Sequence, residues 1–128
     1  MLDHVIGLLT QSDVHKDWTV CQINRVIVPP VNLNQCVGIF EKGYLVAWAS
    51  WGFLSEEKSD MFLEGNYRLQ PEDWRCGNTL VFMDFVAPFG HTKKLYRMCR
   101  NLFPKYPKAE WRRHTKQRRV GSMLDVSK

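Results

Sequence analysis

The sequence predicts a single domain of the α/β (α+β) class, a mixed sheet flanked by helices. Three observations carry that prediction. "QCVGIF" and "YLVAWASWG" are short β-forming runs on either side of "EKG", the pattern of a β-hairpin closed by Gly43. "TLVFMDFVA" is an apolar strand that passes through a "PFG" turn into the amphipathic stretch "HTKKLYRMCRNLF". The chain has 128 residues, 45% of them hydrophobic, with no internal repeat, linker or low-complexity segment, so one layered core is expected.

Taken in order, Leu2, Val5, Ile6, Leu8 and Leu9 recur at helical spacing and predict a short first helix that ends before "SDVHKDW". Residues 19–28, "TVCQINRVIV", are rich in β-branched side chains and read as a strand, broken by "PPVN". The hairpin follows. "SEEKSDMFL" reads as a helix with Ser55 as N-cap and two glutamates in its first turn. "GNYRLQPEDWRCGN" reads as a loop or broken turn, and "TLVFMDFVA" as the firmest strand. The next helix puts Leu95, Met98, Cys99, Leu102 and Phe103 on one face and ends at "PKYP". "AEWRRH" and "RRVGSMLDV" are weaker strand candidates, and 112–128 reads as a less ordered basic tail of the single domain 1–128.

Composition narrows the function classes. No run approaches the ~18 apolar residues of a membrane span. "MLDHVIGLLTQSD" lacks the basic start of a secretory signal, so a soluble, cytoplasmic protein is expected. Cys21, Cys36, Cys76 and Cys99 form no C-x-x-C pair and read as reduced thiols, with no metal site. Net charge is +5 but unevenly spread. From residue 91 onward there are 12 Lys and Arg against Glu110 and Asp125, whereas residues 1–90 carry 6 basic and 11 acidic side chains. The basic end should attract an anion: nucleic acid, an acidic protein or a phosphate-bearing cofactor.

Three places can carry chemistry. Asp84 lies inside an apolar strand; regular alternation puts it on one face with Phe82 and Val86, and Val81, Met83 and Phe85 on the other. A carboxylate there needs a partner, either a structural one or a functional one. His15, in a turn, gains a role only if a carboxylate orients its ring. The start of the helix after "APFG" offers unpaired N–H groups and a dipole to an anion, with Gly90 allowing close approach and Lys93, Lys94 and Arg97 adding charge. Trp48 and Trp51 should face opposite sides of their strand.

"SDVHKDW", "YLVAWASWGFLSEE", "PEDW" and "FMDFVAPFGHTKKLYRMCRNLFP", in this order and spacing, resemble the RTX-toxin-activating lysine acyltransferases of the haemolysin C type. The resemblance runs from about residue 2 to about residue 120, and the chain reads as a short member, since the family usually continues some tens of residues further. It implies a fold similar to the GCN5-related N-acetyltransferases, with the donor's pantetheine arm in a cleft where two strands splay. It implies transfer of a fatty acyl group from acyl carrier protein to a lysine ε-amine of a protoxin, and a homodimer. It places the catalytic histidine on His15, the catalytic aspartate on Asp84 and an activity-linked serine on Ser12. The donor is the acyl-phosphopantetheine of acyl carrier protein or acyl-CoA, with no permanently bound cofactor. Phe89, Gly90, His91, Lys93, Lys94 and Arg97 then become donor-binding candidates.

The chemistry agrees with these residues. A lysine amine, with a pKa of about 10.4, must lose a proton before it attacks a thioester. His15 takes the proton with Asp84 behind it, or His15 itself attacks and forms an acyl-imidazole. Two rival readings remain: a non-catalytic relative that binds acyl carrier protein or another acidic partner, and, ranked last, a nucleic-acid module using "AEWRRHTKQRRV".

Overall fold

The computed structural model describes residues 1–106, 108–112 and 118–122. Helix α1 spans Leu2–Leu9, α2 Val20–Val26 and α3 Val28–Asn32. Strands β1, Cys36–Glu41, and β2, Tyr44–Leu54, are followed by α4, Glu56–Leu63, and a 3₁₀ turn at Pro71–Arg75. Strand β3, Thr79–Val86, leads into α5, Thr92–Leu102, and then to β4, Lys108–Arg112, and β5, Arg118–Ser122. The five strands form one sheet in chain order. All neighbours are antiparallel except β3 and β4, which are parallel because α5 carries the chain back between them. This is the mixed, mostly antiparallel sheet flanked by helices that the sequence led us to expect.

Residues 19–28 depart from expectation. They are helix, not strand, because Thr19 and Gln22 form a capping box: the Gln22 N–H donates to Thr19 Oγ at 3.2 Å, and the Thr19 N–H donates to Gln22 Oε1 at 2.7 Å. Two orphan amides are satisfied at once, which outweighs the strand preference of the β-branched residues. Pro29 and Pro30 then sit in the first turn of α3, where a missing N–H costs nothing, instead of ending a strand. The "PEDW" segment, read as part of a loop or broken turn, is the 3₁₀ turn.

Other local expectations hold. Lys42 and Gly43, at φ 51° and 83°, form the two-residue turn between β1 and β2, a left-handed pair suited to hairpin twist. Ser55 caps α4, its Oγ accepting the Lys58 N–H at 3.2 Å. "AEWRRH" contributes to β4 and "RRVGS" is β5. Within 112–128, Arg112 closes β4 and 118–122 form β5; the rest of that expected tail lies outside the described residues.

The sheet has two covered faces. On one, Leu95 and Cys99 of α5 pack on Ile39, Ala47, Ala49, Trp51, Leu80 and Phe82. Met98 and Phe103 join them, but Leu102 is 49% exposed, so the apolar face of α5 is narrower than its sequence suggests. On the other, Val5, Leu8 and Leu9 of α1 pack with Ile27 on Leu45, Trp48 and Val86. Trp48 and Trp51 do face opposite sides. Beyond them, Leu54, Leu63, Leu69, Trp74 and Val81 form a third cluster under α4. Among the described residues no helix is long and apolar enough to cross a membrane.

One irregularity sets the site. Ser50 pairs with Asp84 but Trp51 pairs with Phe82, so β3 carries an extra residue, Met83. The bulge flips the alternation expected for this strand. Phe82 joins Phe85 on the α5 face, and Asp84 shares the α1 face with Val86 and Val81.

Candidate active site

The site begins at the end of α1. The chain leaves the helix through a tight turn in which the Ser12 carbonyl accepts the N–H groups of His15 and Lys16, at 3.0 and 2.8 Å. That turn places Ser12 and His15 side by side. The Ser12 hydroxyl lies 2.7 Å from His15 Nδ1. The opposite ring nitrogen, Nε2, lies 2.8 Å from Asp84 Oδ1, across 69 residues of sequence. Both side chains of this pair are 2% exposed. A carboxylate only accepts, so His15 Nε2 carries the hydrogen. In the neutral ring Nδ1 is then the acceptor, and the Ser12 hydroxyl donates to it.

The surroundings hold this arrangement in place. The Trp18 ring lies 4.5 Å from the His15 ring, centre to centre, tilted by 54°, and covers one side of it. Ser12 is only half-buried, so it is the member of the trio nearest to solvent. Hydroxyl, imidazole and carboxylate in line can serve as a proton relay, the carboxylate fixing the ring tautomer and the hydroxyl lying against Nδ1.

The residues proposed to hold the donor gather elsewhere. Gly90 adopts φ 92°, a conformation open to glycine, and brings the chain from β3 into α5. Phe89 is 54% exposed, and Lys93, Lys94 and Arg97 are exposed on α5. His91 is turned toward β1, its Nε2 3.3 Å from Glu41 Oε1. Helix α5 packs on the face of the sheet opposite to Asp84. The two groups of residues therefore lie on opposite faces, one near the end of β3 and one just beyond it. In the described residues β3 pairs with β4 only at Val81–Glu110 and Phe82–Trp111, leaving Met83–Val86 unpaired on that side.

Sequence reading missed three neighbours of the site. Trp18 was visible only as an aromatic three residues after His15. Glu41 meets His91 through the hairpin. Ser50 stands opposite Asp84 in the strand register, which depends on a bulge that no local pattern announces. The thiols are free; burial pushes Cys99 up to about 12. Burial also raises Cys36, partly offset by the Trp48 N–H beside it. Among the described residues no group of three His, Cys, Asp or Glu side chains is placed to hold a metal ion.

The geometry can now be set beside known proteins. The sequence model of the RTX toxin acyltransferase family matches residues 1–128. The protein-lysine myristoyltransferase HlyC of Escherichia coli is 36% identical over 104 residues, 81% of this chain and 60% of its own. The leukotoxin-activating lysine-acyltransferase LktC serotype A1 of Mannheimia haemolytica is 28% identical over 123 residues, 96% of this chain and 74% of its own. The corresponding LtxC of Aggregatibacter actinomycetemcomitans is 33% identical over 104 residues, 81% of this chain and 62% of its own. The chain thus spans about 60% of the length of the Escherichia coli relative it matches. The match over all 128 residues shows that the chain belongs to the RTX toxin acyltransferase family.

Proposed function

We propose that this protein transfers a fatty acyl group from the phosphopantetheine thioester of acyl carrier protein to a lysine ε-amine of a target protein, in the cytoplasm. The observation that carries the reading is the hydrogen-bonded line of Ser12, His15 and Asp84, with His15 and Asp84 buried. A buried histidine–carboxylate pair is costly to assemble for stability alone, and its outer end faces half-exposed Ser12. In the reaction the lysine loses its proton through Ser12 to His15 Nδ1, and Asp84 stabilises the imidazolium. The free amine attacks the thioester carbonyl, the C–N bond forms and the C–S bond breaks; the attacking nitrogen gives up its second proton to the departing thiolate, and His15 returns the first to solvent through Ser12. Both ring nitrogens of His15 carry hydrogen bonds, which favours the base over the acyl-imidazole scheme.

The donor enters, on this reading, from the α5 side. Lys93, Lys94 and Arg97 attract the acidic carrier, Phe89 and Gly90 border the pantetheine path, and the edge of Met83–Val86, unpaired on the β4 side among the described residues, leads it to Asp84. Acyl-CoA presents the same arm and is the alternative donor. The relatives LktC and LtxC are named leukotoxin-activating lysine-acyltransferases, and a protein lysine is the acceptor class proposed here. A homodimer belongs to the same proposal.

The test is intact-mass spectrometry of a mixture of the protein, acylated carrier protein and a lysine-bearing acceptor. The reading expects one acyl mass on the acceptor with the wild type and none with His15→Ala. Carrier binding with no transfer by either form would support the non-catalytic alternative. An acyl adduct on the wild-type enzyme that His15→Ala abolishes would restore the covalent scheme.

A further inference from the structure

Asp84 uses one of its two carboxylate oxygens on His15. The other, Oδ2, is buried and has no hydrogen-bond partner among the described residues. Directly across the strand pair, Ser50 is fully buried and its hydroxyl is likewise unpartnered. The two residues are register partners in β2 and β3, so their side chains project from the same face. Cross-strand neighbours have Cβ atoms about 4.5–5.5 Å apart, within reach of a bond between a serine hydroxyl and an aspartate oxygen after rotation about χ1. A buried donor and a buried acceptor side by side, each unpaired, are both expensive.

Packing does not explain the serine. Alanine would meet a need for small size at this fully buried position without a buried hydroxyl. Nor does another donor stand in for it. The indole N–H of Trp48, also unpartnered by ordinary hydrogen-bond geometry, lies instead beside the Cys36 thiol. Cys36 is the register partner of Ser50 on its other side, so the row across the sheet runs Cys36, Ser50, Asp84, then His15.

We propose that Ser50 is a positioning residue of the relay: its hydroxyl donates to Asp84 Oδ2 and fixes the carboxylate plane so that Oδ1 stays on His15 Nε2. The bulge at Met83 brings this about by turning Asp84 onto the Ser50 face. Without the second bond the carboxylate swings about its Cβ–Cγ bond, and the His15 tautomer loses its anchor. This inference rests on the acyl-transfer reading only for its effect on turnover.

The experiment compares the wild type, Ser50→Ala, Asp84→Asn and the double variant. Ser50→Cys, close in size and only a weak donor, guards against misfolding of the alanine form. Ring ¹⁵N signals of His15 are recorded without donor or acceptor, so a wrong acyl-transfer assignment would leave this arm readable. The inference expects the His15 signals to move in Ser50→Ala and Ser50→Cys, and no further movement when Ser50→Ala is added to Asp84→Asn. It also expects kcat to fall by about 10-fold with KM for the acylated carrier unchanged. Unchanged His15 signals in a folded Ser50 variant would overturn it, as would a rise in KM at constant kcat.

Discussion

His15 is fixed in place by its neighbours. Asp84 on Nε2 and Ser12 on Nδ1 determine which nitrogen can receive a proton, and Trp18 limits the motion of the ring. Ser12→Ala removes the exposed end of the relay and leaves the buried pair intact. It should lower kcat on the order of 10²-fold, while the melting temperature stays near that of the wild type; a steady-state rate and a thermal melt check both. Cys99 gives a second prediction. Its folded pKa of about 12 lies above the ordinary value of 9.0, so the fold prefers the protonated thiol. That contribution is complete below about pH 9 and is lost as pH rises toward about 12. Denaturant titrations at alkaline pH should show the loss, and Cys99→Ala should flatten it. The sequence made Ser12, His15 and Asp84 legible because a resemblance named them. It did not reveal Ser50, whose significance comes from its place opposite Asp84.

Helices and strands were legible where local pattern and tertiary packing agree. The α5 periodicity, the Ser55 cap and the Lys42–Gly43 turn each express a short-range rule. Residues 19–28 show the opposite case. β-branched residues favour a strand, but Thr19 and Gln22, three residues apart, carry a helix-start signal at the front of the run. Thr19→Ala should therefore cost about 1 kcal/mol, measured by chemical denaturation, with no change in the chemistry of the site. The face assignment in β3 failed for another reason. Alternation holds only in a regular strand, and the Met83 bulge changes which residues share a face with Asp84. The same bulge aims Asp84 at His15, so the irregularity and the site have one origin.

Across the whole molecule, the sheet separates two groups of candidate residues. The relay lies on the α1 face, and the basic helix α5 lies on the other. If α5 receives an acidic carrier, reversing Lys93, Lys94 and Arg97 to glutamate should raise KM for the acylated carrier at least 10-fold, leave kcat nearly unchanged and remove most of the salt dependence. Initial rates at low and high ionic strength measure this. The layered α/β class was legible from the sequence because hairpin, strand and helix signals were all strong. The faces on which the two groups of residues lie were not legible, since strand pairing decides them.

On the acyl-transfer proposal, the buried His15–Asp84 pair drives the reaction. The initial rate of acyl transfer to the acceptor tests it for the wild type, His15→Ala and Asp84→Asn, each with its melting curve. Losses on the order of 10³-fold or more are expected in both variants while each still melts cooperatively. Wild-type rates from a folded His15→Ala protein would contradict it.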